Sequence, residues 1–157
     1  MTRTVLAATS APCAVPRCGL AMGTPVLTRD GDIPVEFLEI GDAVVTRQGA
    51  RILYSIEVSV ISHARMVRIG GVTLGRTSPG ADVLVPATQR VLVRDWRARA
   101  FAGGRQALVP AARLADGEFI RGEILDFVRL YTLGFGQDVV VQAGGLELEC
   151  GSATAPV

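Results

Sequence analysis

A chain of 157 residues in which 49% are hydrophobic and 20% charged has the composition of a folded domain and enough length for one sizeable core. Its 16 basic residues nearly balance its 15 acidic ones, for a net charge of +1, and aromatic residues make up only 5%. That excludes a strongly basic phosphate-binding surface and an aromatic base-stacking platform, so no nucleic-acid partner is expected.

In chain order, residues 1–17 read as a flexible N-terminal segment. The longest stretch free of charge, Thr4 to Pro16, is shorter than the roughly 18 apolar residues a spanning helix needs, and it contains Pro12 and Pro16. Val5-Leu6-Ala7-Ala8 is too brief for the apolar centre of an export signal, so a soluble, cytoplasmic chain without a membrane span is the expectation. From there period-2 patterning dominates. Short strands are predicted at Pro25–Arg29 and Ala43–Arg47. A long strand follows, in which Ile52, Tyr54, Ile56, Val58 and Val60 form the apolar face and Ser55, Glu57 and Ser59 lie on the wet one. Further short strands fall at Met66–Ile69, Val72–Leu74, Ala81–Val85, Arg90–Arg94, Glu118–Arg121 and Asp138–Val141. Leu125, Phe127, Tyr131 and Leu133 mark another strand, and Leu146, Leu148 and Cys150 alternate with Glu147 and Glu149 in the last. Turn pairs such as Asp30-Gly31, Gln48-Gly49 and Gly144-Gly145 punctuate the series. Two stretches break the rhythm, Pro34–Gly41 and Pro110–Leu114, and each suits one helical turn. The class is all-β, in a domain spanning residues 18–150 with a tail at 151–157.

The order of elements repeats. Val26-Leu27-Thr28-Arg29-Asp30 precedes the first helical turn, and Val91-Leu92-Val93-Arg94-Asp95 precedes the second, with an insert around Trp96–Gly104. This predicts an internal duplication into two intertwined β subdomains. Trp96, in the insert, is either a partly exposed interaction residue or a lid over the core, with the lid favoured, and Asp42 is a turn residue bonding local amides.

The chain has no Lys, no Asn and a single His, His63. Schiff-base lysine catalysis, P-loop phosphate binding and multi-histidine metal sites are thereby excluded. Cys13, Cys18 and Cys150 are odd in number and lack the close pairing of zinc ligands, so no metal or other cofactor is expected. A small metal- or ligand-binding β domain using the cysteines stays open as an alternative. The hydrophobic composition suggests an exposed apolar patch serving an unknown protein partner, and a homo-oligomer is left open.

Several motifs in fixed order carry a resemblance. Gly23-Thr24-Pro25-Val26-Leu27-Thr28, Asp30-Gly31, Val35-Glu36-Phe37-Leu38 and Gly41-Asp42-Ala43-Val44-Val45-Thr46-Arg47 resemble the opening of a Hint domain, the module of hedgehog C-terminal regions and inteins. Leu84-Val85-Pro86-Ala87-Thr88-Gln89-Arg90-Val91-Leu92-Val93 resembles its central strand motif, and Val109–Leu114 with Asp116-Gly117 the segment after it. Among Hint proteins the stand-alone bacterial type is the most similar. The resemblance implies an all-β flattened horseshoe of two pseudo-symmetric halves with short helical turns. It also implies a chemistry: a Cys, Ser or Thr at the first position attacks the preceding carbonyl, and a His in a Thr-x-x-His-like motif protonates the leaving nitrogen.

On that pattern the candidate catalytic residues are Cys18, Gln89 with its neighbour Thr88, and His63, with Arg17–Cys18 as the scissile bond. The family has one residue fewer than this chain between the Cys and Gly23-Thr24. Gln89 stands where the His is expected, and a carboxamide has no proton to give at neutral pH. His63 is either a surface turn histidine or an imidazole recruited from outside the motif. Without Asn, the cyclisation that completes intein splicing is impossible. The resulting expectation is a Hint domain degenerate for self-processing and acting as a structural or interaction module. The alternative is an active domain cleaving Arg17–Cys18 through an N-to-S acyl shift.

Overall fold

A computed structural model describes residues 19–70, 82–94 and 96–150. Within them twelve strands, two short α-helices and one 3-10 turn follow one another. The first half contains β1 (Leu20–Ala21), β2 (Pro25–Thr28), β3 (Gly31–Pro34), the 3-10 turn Val35–Phe37, β4 (Ala43–Thr46), β5 (Gly49–Ile52) and β6 (Ser55–Ile69). The second contains β7 (Val83–Pro86), β8 (Arg90–Val93), α1 (Trp96–Ala102), β9 (Ala107–Pro110), α2 (Ala111–Leu114), β10 (Ile120–Gly134), β11 (Val139–Ala143) and β12 (Leu146–Cys150). The predicted all-β class and both helical turns are present. The predicted strand at Val72–Leu74 and the flanking segments 1–17 and 151–157 lie outside the described residues. No helix among the described residues is long and apolar enough to cross a membrane.

The strands form two sheets. One has the order β1-β10-β6-β7, and the other runs β3-β2-β4-β11-β12-β8-β9 with β5 added beside β4. The hairpins β2–β3 and β4–β5 share one local device. The Thr28 hydroxyl donates to Gly31 O at 2.8 Å and accepts from Asp30 N, while the Thr46 hydroxyl donates to Gly49 O at 2.6 Å and accepts from Gln48 N. Gly31 and Gly49 have φ of 109° and 96°, which a side chain would strain, and this explains the Thr-Arg-x-Gly sequence of both turns.

The long strands β6 and β10 form an antiparallel ribbon from Ser55–Gly134 at one end to Ile69–Ile120 at the other. It is the axis of the duplication. β1 pairs with β10 at Leu20–Tyr131, and β7 pairs with β6 at Met66–Pro86. Just beyond β1, Met22 N–H donates to Arg129 O at 3.2 Å; just beyond β7, Ala87 N–H donates to Arg65 O at 3.0 Å. Thr24 N–H then donates back to Ala21 O, as Gln89 N–H does to Pro86 O. The halves are thus intertwined and related by approximate twofold symmetry, as the repeat predicts.

At His63 the ribbon kinks. His63 has φ of 51°, and the pairing skips it and the opposite Asp126, although the register is unchanged on either side. The inward-facing positions therefore change parity from Ile61 to Ala64 and Met66 on β6, and from Val128 and Leu130 to the half-buried Leu125 on β10. These residues join Ala21 of β1 in a small core beneath the ribbon. The larger core unites both halves, with Val26, Val44, Leu53, Val91 and Leu148 fully buried.

Three expectations need correction. The run Arg51–Val60 is not one strand with its even positions inward: Ile52, Tyr54, Val58 and Val60 are each more than half exposed. Leu53 interrupts the run. It leaves the strand to enter the core, exchanging backbone bonds with Gly41 and Asp42, and this sets its neighbours facing out. The predicted strand at Met66–Ile69 is the far end of β6, disguised by the parity change at His63. Trp96 is no lid: the insert forms α1, and Trp96 is 69% exposed.

Candidate functional site

Gln89 follows β7 by one tight turn and precedes β8, a position that drives its side chain into the middle of the molecule, where it is wholly buried. A buried carboxamide must find partners for two donor hydrogens and an acceptor oxygen. Gln89 finds all of them. Its Nε2 donates to Arg90 O at 2.9 Å and to Glu149 O at 2.7 Å, and its Oε1 accepts from Gly19 N–H at 2.9 Å. The two carbonyls and one amide fix the orientation of the group, since the flipped carboxamide would set oxygen against oxygen and nitrogen against N–H.

The side chain thus ties together the start of the described chain, β8 and the end of β12. The two residues whose carbonyls it holds are also joined across the strands by an ion pair, Arg90 Nη1 to Glu149 Oε1 at 3.2 Å. Gly19 is buried against Leu130 and Pro86: a Cβ placed on it would lie 3.5 Å from Leu130 Cβ and 3.7 Å from Pro86 Cγ, ordinary contact distances.

The other candidates are arranged differently. Cys18 lies outside the described residues, one peptide bond before Gly19. Thr88 is exposed, next to the buried Gln89. His63 is also exposed, within β6 at the kink and not in a turn, and no hydrogen bond joins it to Gln89 or Gly19. The structure therefore brings Gln89 to the residue after Cys18 and leaves His63 on the surface. Gly19 is the residue that sequence reasoning missed; the one-residue excess between Cys18 and Gly23-Thr24 was its signal.

Of the cysteines only Cys150 is described, and it is buried on β12. Among the described residues no cluster of three His, Cys, Asp or Glu side chains could hold a metal ion. Asp42 Oδ2 accepts from Glu39 N–H at 2.8 Å, a turn bond of the kind expected. A cavity of about 610 Å³ opens elsewhere, between the β1–β2 turn and the start of β7, lined among others by Thr24, Asp32, Arg68 and Asp82. Neither Gln89 nor Gly19 lines it.

Two intertwined β halves built around one long antiparallel ribbon form an intein-like β scaffold. The family model of the Hint domain (Hint_2) matches residues 18–154, and the chain belongs to the Hint domain family. Among solved structures it is similar to the bacterial intein-like domain from Clostridium thermocellum, with 17% identity, a TM-score of 0.59, and coverage of 85% of this chain and 97% of that one. It is also similar to the MchDnaB-1 intein, with 15% identity, a TM-score of 0.54, and coverage of 82% and 98%. The AceL NrdHF class 3 split intein, in a splice-inactive variant, matches with 16% identity, a TM-score of 0.54, and coverage of 85% and 97%. At such identities the likeness is one of fold. No curated protein matches the sequence.

Proposed function

We propose that this chain is a Hint domain that has lost self-cleavage and serves as a structural or interaction module. The observation that carries the reading is the 2.9 Å hydrogen bond from Gly19 N–H to Gln89 Oε1. In the chemistry the family resemblance implies, the residue at the motif His position protonates the leaving nitrogen, which is the backbone nitrogen of the first residue. Here the residue at that position meets the nitrogen of Gly19. Gly19, not Cys18, is then first, and a glycine has no nucleophile to offer.

The carboxamide is also turned the wrong way for the task. Its acceptor faces the nitrogen that would need a proton, and both of its donor hydrogens are committed to carbonyls. Losing a general acid alone costs about 10²–10⁴-fold in rate; losing the nucleophile removes the covalent route altogether. The Thr-x-x-His-like motif reads Pro86-Ala87-Thr88-Gln89, so neither end keeps its functional group. What remains is a polar clamp that holds the β scaffold closed.

The test is a reporter protein fused ahead of residue 17 and challenged with thiol or hydroxylamine, read by intact mass. The fusion should stay whole. A cut after Arg17 that Cys18→Ala abolishes would show an active Cys18 nucleophile and overturn the proposal.

A further inference from the structure

We infer that the outer face of the β6–β10 ribbon is a docking surface for an extended polypeptide segment carrying both apolar and acidic side chains. This deepens the interaction reading above and names the chemistry of the partner. The kink at His63 lets one face of the ribbon be followed from end to end. Its ends are buried: Leu133 and Tyr131 beside the half-buried Ile56 at one, Val67, Ile69 and Ile120 at the other. Its middle lies open, with Val58 55%, Val60 61%, Ile124 66% and Phe127 72% exposed. Four large apolar side chains on a strand surface that the core does not need form a patch with a binding role to fill.

The charges on this face have one sign. Arg129 stands opposite Val60, and Arg65 stands opposite Ile124. Both are exposed, and neither takes part in an ion pair among the described residues. They occupy matching places in the two halves, since each carbonyl receives the first amide beyond β1 or β7. Glu57 and Glu123 alternate onto the opposite face, and Asp126 falls at the kink itself. A partner that covers the apolar residues must therefore bring carboxylates for the two arginines. A second copy of this chain would set arginine against arginine.

The edges favour a strand as the occupant. Along β10 the pairing with β1 reaches only Leu130, and along β6 the pairing with β7 begins only at Met66. Between these limits no strand among the described residues pairs with the outer edge of either β6 or β10. Apart from Arg129 O and Arg65 O, which hold Met22 N–H and Ala87 N–H, the outward N–H and C=O groups there can receive an added strand, whose alternate side chains would then lie beside Ile124 and Phe127.

The probe is a fluorescein-labelled peptide of alternating valine and glutamate, titrated against the folded chain by anisotropy, with its binding mapped by amide chemical shifts. Saturable binding is expected, with shifts at Val58, Val60, Ile124 and Phe127. It should weaken about tenfold or more in Phe127→Ser and in the double variant Arg65→Glu/Arg129→Glu, and weaken again as salt is raised. Equal binding of the valine–lysine counterpart, shifts elsewhere, or no binding overturns the inference. So does concentration-dependent dimerisation lost in Phe127→Ser, which would assign the face to a second copy. Flotation with anionic vesicles but no peptide binding would assign it to a lipid surface. The titration reads the ribbon alone, so its failure leaves the self-cleavage result untouched, and the reverse also holds.

Discussion

Thr24 and Gln89 hold the same place in the two halves: the carbonyl of Thr24 receives Val35 N–H at 2.9 Å, and that of Gln89 receives Ala111 N–H at 2.8 Å, each opening the helical turn of its half. The backbone role is shared, but only Gln89 carries a side chain long enough to reach three other segments. Gln89→Ala would leave Gly19 N–H buried, and Arg90 O and Glu149 O part-buried, without those partners, together with a cavity. A loss of about 3 kcal/mol is expected, seen as a fall in Tm of about 10 °C for a chain of this size. Gln89→Ala melting within about 2 °C of the parent, a change under about 1 kcal/mol, would show that the clamp does not hold the fold together.

The register of the site has its own test. Gly19→Cys introduces a thiol whose Cβ meets only ordinary contacts, and Gln89→His supplies an imidazole beside the same nitrogen. The double variant, fused behind a reporter, should show slow cleavage after residue 18, accelerated by hydroxylamine, where the parent shows none. Both single variants should stay intact. Cleavage of the double variant after Arg17 instead would return the first position to Cys18.

Much of this architecture is legible in the chain, for physical reasons. The alternation of Leu146, Leu148 and Cys150 with Glu147 and Glu149 reads directly as β12, because one face of that strand is buried and the other carries ion pairs to Arg47, Arg94 and Arg90. The repeated Val-Leu-x-Arg-Asp segment reveals the duplication. The even face of Arg51–Val60 misleads because apolar alternation says that one face differs from the other, not which of them a fold will cover. The kink at His63 hides the true length of β6 because a left-handed residue changes the parity on which pattern reading depends. The site itself is half visible. Gln89 reads as a substitution in a motif, but that its carboxamide meets the amide of Gly19 turns on one residue of spacing, which the motif alone does not fix.

Glycine replacements should separate turn strain from crowding. Gly31 has φ of 109° and open space around a would-be Cβ, so Gly31→Ala carries backbone strain alone, about 1 kcal/mol. Gly144 has φ of 63°, and its Cβ would fall 2.5 Å from Val83 Cγ2. Gly144→Ala must therefore displace the stiff, buried Val83 side chain as well, and about 3 kcal/mol is expected. Urea denaturation of the two variants side by side checks the ranking; equal midpoints would contradict it.

The last prediction concerns pH. Arg68 on β6 grips Glu123 on β10 with two bonds, Nε to Oε2 at 2.6 Å and Nη2 to Oε1 at 3.0 Å. The guanidinium hydrogen bond holds the Glu123 carboxyl below its ordinary value of 4.5, against a smaller opposing effect of burial. Because the folded pKa lies below the unfolded one, the unfolded chain binds more protons as pH falls between them. The pair's contribution is therefore complete above the ordinary glutamate range and disappears as pH drops through the lowered folded value. Both side chains are partly solvated, at 32% and 27% exposure, so the pair is worth only about 0.5–1 kcal/mol. Glu123→Gln should lower Tm by about 2–3 °C at neutral pH and by nothing measurable once the parent's Glu123 is protonated. A Tm difference between parent and Glu123→Gln that stays constant from neutral pH down into the acid range would mean that the ion pair does not contribute.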